Sequence, residues 1–139
     1  YGPRMDVTGR YARAIPRFIT QALKNEPLTI YGDGLQTRSF TYITDMVDGL
    51  IRLMLSDYSM PVNLGSENEI SIIELAKTII EITNSKSKIV HLEPFPDDPR
   101  RRRPDITIAK KVLGWEPKVP LREGLKQTVD YFKKVLNVA

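Results

Sequence analysis

The stretch Leu28-Thr29-Ile30-Tyr31-Gly32-Asp33-Gly34-Leu35-Gln36-Thr37-Arg38-Ser39-Phe40 decides the fold class. Leu28 to Tyr31 is a short apolar run of strand type. Gly32-Asp33-Gly34 breaks it as a turn. Thr37 to Ile43 is rich in β-branched and aromatic residues and predicts a second short strand. Taken alone, this is also the composition of an ordinary hairpin with a surface arginine. Two features point past that reading. Glycines let the backbone approach a ligand closely. Arg38 brings a planar fork of donors that suits phosphate.

Helical patterns flank this stretch. Upstream, Ile15, Phe18, Ile19, Ala22 and Leu23 fall at helical spacing, Pro16 suits the first turn, and Asn25-Glu26-Pro27 ends the helix. Downstream, Val47, Leu50, Ile51, Met54 and Leu55 form an apolar stripe, with Thr44 or Asp45 as its cap. Pro61 to Leu64 is strand-like and ends at Gly65. Ser71-Ile72-Ile73-Glu74 is a capping box that opens a helix through about Ile82. Lys88 to Leu92 predicts another strand. Asp105 caps a helix over Ile106 to Leu113, closed by Gly114. A last helix turns Leu121, Leu125, Val129, Phe132 and Leu136 inward, and Trp115 is expected to pack on the two C-terminal helices. The fold class is α/β: one small lobe over residues 1–139, with short strands and about five helices. Such strands are too short for the central sheet of a large enzyme, so the lobe is expected to pack on something else. Opening at Tyr1-Gly2-Pro3-Arg4 without methionine, the chain reads as the interior of a longer protein.

Composition narrows the chemistry. Of 139 residues, 41% are hydrophobic and none is cysteine, which leaves no disulfide framework and no thiolate ligand or nucleophile. His91 is the single histidine, so a histidine-based zinc site is not expected. No apolar run approaches the roughly 18 residues of a membrane span, and no signal peptide is evident, so the expected compartment is the cytoplasm. Arg100, Arg101, Arg102 and Arg103 account for the whole net charge of +4. Charge confined to one spot suits a small anion better than a nucleic-acid track.

That spot lies in Asp97-Asp98-Pro99-Arg100-Arg101-Arg102-Arg103-Pro104-Asp105. Its prolines lower the entropy lost on ordering. In an extended loop Arg100 and Arg102 share one side and Arg101 and Arg103 the other. One pair can meet a diphosphate while the other stays solvated or pairs with Asp97, Asp98 or Asp105. A solvated basic loop is the plainer alternative. Asn63, before Gly65, can hydrogen-bond a base or ribose, or serve only as a turn residue. No carboxylate pair, no Ser/His/Asp set, no metal-ligand cluster and no dinucleotide fingerprint is evident. The residues alone give an anion-binding lobe without a catalytic group and without a metal site.

Tyr1-Gly2-Pro3-Arg4, Tyr31-Gly32-Asp33-Gly34, Gln36-Thr37-Arg38-Ser39-Phe40, Asn63-Leu64-Gly65 and Leu113-Gly114-Trp115-Glu116-Pro117 occur in an order and spacing that carry more than any one piece. Together they resemble the C-terminal part of the extended short-chain dehydrogenase/reductases that act on nucleotide sugars. The resemblance implies an upstream Rossmann domain, absent from this chain, that binds NAD and carries a Tyr-x-x-x-Lys pair. It implies that this lobe binds a UDP-sugar or dTDP-sugar, and that the full-length protein is a homodimer. Carried over by position, Tyr31 lies beside the base, Arg38 and Arg100 grip the diphosphate with Arg102 as an alternative ligand, and Asn63 contacts the nucleoside. Arg10 approaches the nicotinamide side of the cleft. Pro96-Asp97-Asp98-Pro99-Arg100 and Arg103-Pro104-Asp105-Ile106 look most like UDP-glucuronate decarboxylases, which form UDP-xylose. Gly9-Arg10-Tyr11-Ala12 and Ile15-Pro16-Arg17-Phe18-Ile19 look more like 4-epimerases acting on UDP-glucose. A dTDP-glucose 4,6-dehydratase is a third possibility. All three begin by hydride transfer from C4 of the sugar to NAD.

Overall fold

The computed structural model describes residues 1–8 and 13–138, and Arg10 falls outside them. In chain order the elements are α1 (Ala14–Leu23), β1 (Leu28–Tyr31), β2 (Thr37–Ser39), α2 (Ile43–Met54), β3 (Glu69–Ser71), α3 (Ile72–Thr83), β4 (Ile89–Leu92), α4 (Thr107–Leu113) and α5 (Leu121–Leu136). This is the small α/β lobe with short strands and five helices that the sequence predicts. No helix among the described residues is long and apolar enough to cross a membrane.

The main core joins α1, α3 and α5 to β1. Phe18, Ile19, Leu28, Ile30, Leu75, Ile79, Leu125 and Phe132 are fully buried in it. The capping box at the start of α3 forms as expected. The Ser71 hydroxyl accepts from the Glu74 amide, and the Glu74 carboxylate accepts from the Ser71 amide.

Strand pairing departs from the hairpin reading. β1 pairs in parallel with β4, setting Leu28 opposite Ile89 and Tyr31 opposite Leu92. β2 pairs antiparallel with β3, setting Thr37 opposite Ser71. The turn between β1 and β2 lies instead over the first turn of α3, where the amides of Ile72 and Ile73 donate to the carbonyls of Gln36 and Gly34 at 3.0 Å each. At φ +77° Gly34 packs so closely that a Cβ would stand 3.0 Å from the Ile73 side chain. A side chain there is excluded by both backbone and space.

Other expectations need correction. The second strand ends at Ser39, because the chain turns into α2 by Ile43. Pro61 to Leu64 pairs with no strand among the described residues. Asp45 does not cap α2. It is buried, and its carboxylate accepts from the amides of Lys118 and Val119 at 3.0 and 2.9 Å. The packed face of α2 carries Asp45, Gly49 and Leu53, not the predicted stripe. A Cβ on Gly49 would stand 3.0 Å from both Leu64 and Trp115. Val47, Leu50, Ile51, Met54 and Leu55 face outward, with Met54 and Leu55 more than 70% exposed. Trp115 packs with Ile106, Ala109 and Leu113 against Leu53, Val62 and Leu64, so its partners are α4 and α2, not α5. Its indole donates to the Asp45 carbonyl at 2.9 Å.

Candidate functional site

Three of the sequence candidates, Tyr31, Arg38 and Arg102, line one cavity of 420 Å³. Tyr31 ends β1 and reaches the cavity mouth half-buried. Its ring meets that of Phe95 with centroids 4.4 Å apart and planes tilted by 38°. On the α1 side, the Arg17 guanidinium stands 5.0 Å from the Tyr31 ring centroid. It also donates to the Thr29 carbonyl at 3.1 Å. Burial, the larger influence, lowers the Arg17 pKa, while Tyr31 acts the other way. A guanidinium remains charged nonetheless.

Arg38 is aimed from β2 and is largely covered. Its Nη1 donates to the Thr37 carbonyl at 2.6 Å and its Nη2 pairs with Asp98. Arg13, Arg17, Arg38 and Arg102 thus face the cavity against a single lining carboxylate, Asp98. An aromatic pair beside this excess of positive charge suits a flat ring joined to a multiply charged anion.

The arginine loop is tied along β2. The Thr37 amide donates to the Arg100 carbonyl at 2.9 Å. Arg101 holds Glu69 through three hydrogen bonds, and Arg103 stands 3.9 Å from Glu67. Alternation along the loop holds only in part: Arg101 and Arg103 turn to the glutamates and Arg102 to the cavity, but Arg100 does not join Arg102 there, and Arg103 lines an adjoining hollow with Arg102. The partners of 101 and 103 are Glu69, which opens β3, and Glu67 just before it, not Asp97, Asp98 or Asp105. Arg100 lies outside the lining of the cavity and pairs with Asp33 at 2.9 Å. Asp33 and Glu69 sit below the ordinary carboxylate range, chiefly through their hydrogen bonds to Arg100 and Arg101. Asn63 lies in an adjoining hollow of 520 Å³ that Arg38 and Arg102 also line. Its amide donates to the Asp105 carbonyl at 3.2 Å.

Sequence reasoning missed Phe95, Gln36, Arg13 and Arg17 as lining residues. Phe95 stands between Pro94 and Pro96, a loop context that hides an aromatic from strand or helix patterns. Gln36 lies inside the motif Gln36-Thr37-Arg38-Ser39-Phe40, and its position there is the available signal. Among the described residues, nothing lining the cavity is arranged for acid–base work. Asp98 is engaged by Arg38, and burial pushes the Tyr1 phenol above its ordinary range. Among the described residues no cluster of His, Asp and Glu suits a metal ion.

Residues 1–128 match the family model described as GDP-mannose 4,6 dehydratase. The chain is 51% identical over 138 residues to UDP-glucuronic acid decarboxylase 5 of Arabidopsis thaliana, covering 99% of this chain and 40% of that protein. It is 50% identical to UDP-glucuronic acid decarboxylase 1 of Xenopus tropicalis, covering 98% and 32%. Among solved structures, UDP-glucose 4-epimerase of Thermotoga maritima with UDP-glucose superposes with a TM-score of 0.92 at 38% identity, over 98% of this chain and 44% of that one. UDP-glucuronic acid 4-epimerase of Bacillus cereus, in complex with UDP-glucuronic acid and NAD, gives 0.87 at 33%, over 97% and 43%. The chain spans less than half the length of each of these relatives. With its motifs in order, its fold shared and its residues matched almost end to end, the chain belongs to the GDP-mannose 4,6-dehydratase family of NAD-dependent nucleotide-sugar epimerases, dehydratases and decarboxylases.

Proposed function

We propose that this chain is the substrate-binding lobe of a UDP-glucuronate decarboxylase, and that it grips the nucleotide diphosphate of the sugar. The observation that carries this is the convergence of Tyr31, Arg38 and Arg102 on one cavity. Tyr31 offers a face to the base. Arg38 and Arg102 meet the diphosphate, and Arg100 joins them if the ligand displaces Asp33. Asn63 reaches the nucleoside from the adjoining hollow. The excess positive charge suits a substrate with a carboxylate on its sugar as well as a diphosphate.

NAD fits this lobe poorly as its principal holder. Gly32 and Gly34 lie in the turn between β1 and β2, and added Cβ atoms there would stand 3.3 Å from Pro94 and 3.0 Å from Ile73. Neither forms an open cradle for a pyrophosphate. We assign the cofactor mainly to an N-terminal Rossmann domain, with Arg10 reaching toward it from this side. The oxidising and proton-transferring residues belong to that domain too, and this lobe alone is inactive. The outward stripe on α2 is the face on which it would dock, and the full-length enzyme is taken as a cytoplasmic homodimer.

The test is titration of the full-length protein with UDP, followed by incubation with UDP-glucuronate and NAD. Tight UDP binding, weakened at least tenfold by Arg38→Ala, with release of carbon dioxide and formation of UDP-xylose, is the expected result. UDP binding with interconversion at C4 and no carbon dioxide would favour the 4-epimerase reading instead. That second reading draws on the likeness to solved 4-epimerases and on the Ile15-Pro16-Arg17 helix start.

A further inference from the structure

Two residues of the loop between β4 and α4 lie on groups that the proposed ligand would use. Phe95 sets its ring 4.4 Å, centroid to centroid, from that of Tyr31. Asp98 sets its carboxylate on the Nη2 of Arg38. Both line the cavity beside their targets. The two are carried on one turn, because the Asp98 amide donates to the Phe95 carbonyl at 3.3 Å. Backbone bonds tie the segment at its two ends. The Gly32 amide donates to the Leu92 carbonyl and the Thr37 amide to the Arg100 carbonyl, each at 2.9 Å. Between these ties Phe95 remains 55% exposed, so apolar burial holds it weakly.

A flat ring followed by an anion is also the chemistry of a nucleoside diphosphate. A phosphate cannot share Arg38 with Asp98 without like-charge repulsion. That guanidinium is mostly covered, so solvent screens the repulsion poorly. We infer that residues 93–99 are a flap that fills the nucleotide site with the chain's own ring and carboxylate, and that swings out when nucleotide arrives. Arg38 keeps its bond to the Thr37 carbonyl, and its Nη2 changes partner. Apparent affinity is then reduced by the fraction of molecules in which the flap is open. This rests on the reading of the cavity as a nucleotide site.

Calorimetry with UDP on the full-length protein tests the flap. Asp98→Asn removes the competing charge at nearly constant shape and should tighten UDP binding about threefold, the scale of one partly covered ion pair. Asp97→Asn removes the same charge from the neighbouring position, outside the cavity lining, and should leave the affinity unchanged. The gain from Asp98→Asn should vanish in an Arg38→Ala background, where the competition has lost its object. An equal gain from Asp97→Asn, or a gain that survives Arg38→Ala, means a general charge effect and overturns the flap. Unchanged or weaker UDP binding by Asp98→Asn overturns it too. A second readout needs no substitution. Nuclear Overhauser contacts between the Phe95 and Tyr31 rings should be present in the free protein and lost at UDP saturation. Their persistence while UDP binds overturns the flap and leaves the nucleotide site intact. Failure of the wild-type protein to bind UDP at all overturns both.

Discussion

Arg38 and Arg102 differ in how firmly they are held before any ligand arrives. Arg38 is anchored by the Thr37 carbonyl and by Asp98, whereas Arg102 is exposed. A preorganised guanidinium loses less entropy on gripping an anion. Arg38→Ala should therefore weaken UDP binding by at least tenfold, and Arg102→Ala by a smaller factor, both read by calorimetry. Equal losses would show that anchoring is irrelevant. Arg38→Lys should rescue little, because a point charge lacks the fork. The sequence made Tyr31 and Arg38 legible as neighbours, since a glycine turn joins them. It did not show that Arg101 and Arg103 would be engaged by Glu69 and Glu67, because those partners stand some thirty positions away. Ser71 was legible for the opposite reason, its partner Glu74 being three residues on. Ser71→Ala should lower stability by about 1 kcal/mol in denaturant titration.

At the scale of elements, α2 separates pattern from packing. Its apolar stripe reads as a core face, yet the helix packs through Asp45, Gly49 and Leu53. Helical periodicity identifies an apolar face but not the layer that covers it. The strands were read in the same partial way. Runs of three or four residues announce themselves by composition but carry no record of their partners, so β1 found β4 across a long insertion. Pro61 to Leu64, read as a strand, pairs with no strand among the described residues, and its Val62 and Leu64 pack against the inward face of α2 beside Gly49 and Leu53. The outward stripe of α2 fits the docking surface proposed above for an upstream domain. Leu50→Ser with Ile51→Ser should leave the stability of the 139-residue chain within about 0.5 kcal/mol, since the side chains are already exposed. In the full-length protein the same pair should cost several times more by denaturant titration. Equal effects in the two would place the interface elsewhere.

Across the whole molecule, the loop from Pro94 to Pro104 is closed onto the body by charge more than by apolar contact. Asp33 holds Arg100, Glu69 holds Arg101, Glu67 lies near Arg103, and Arg38 holds Asp98. Asp33 and Glu69 lie below their ordinary values of 3.8 and 4.5, chiefly through the arginine hydrogen bonds. Glu67 does so chiefly through Lys110. A carboxyl depressed in the folded state contributes its stabilisation above its unfolded pKa and loses it as pH falls through the folded pKa. The loop should thus be insensitive to pH from 7 down to about 5 and loosen progressively below the ordinary carboxylate range. In the pairs of Arg100, Arg101 and Arg103 the arginine is exposed, so each contributes little and high salt weakens it, whereas the Arg38–Asp98 pair is largely covered. The main core has no such dependence, because α1, α3 and α5 meet through apolar side chains. Nuclear magnetic resonance of the amides of Thr37 and Arg101 should show shifts that stay flat above pH 5. They should move below it while those of Ile79 and Phe132 remain in place. Molar salt at pH 7 should displace the loop signals in the same direction. Loop and core moving together on acidification would mean that the loop is held by the core and not by its ion pairs.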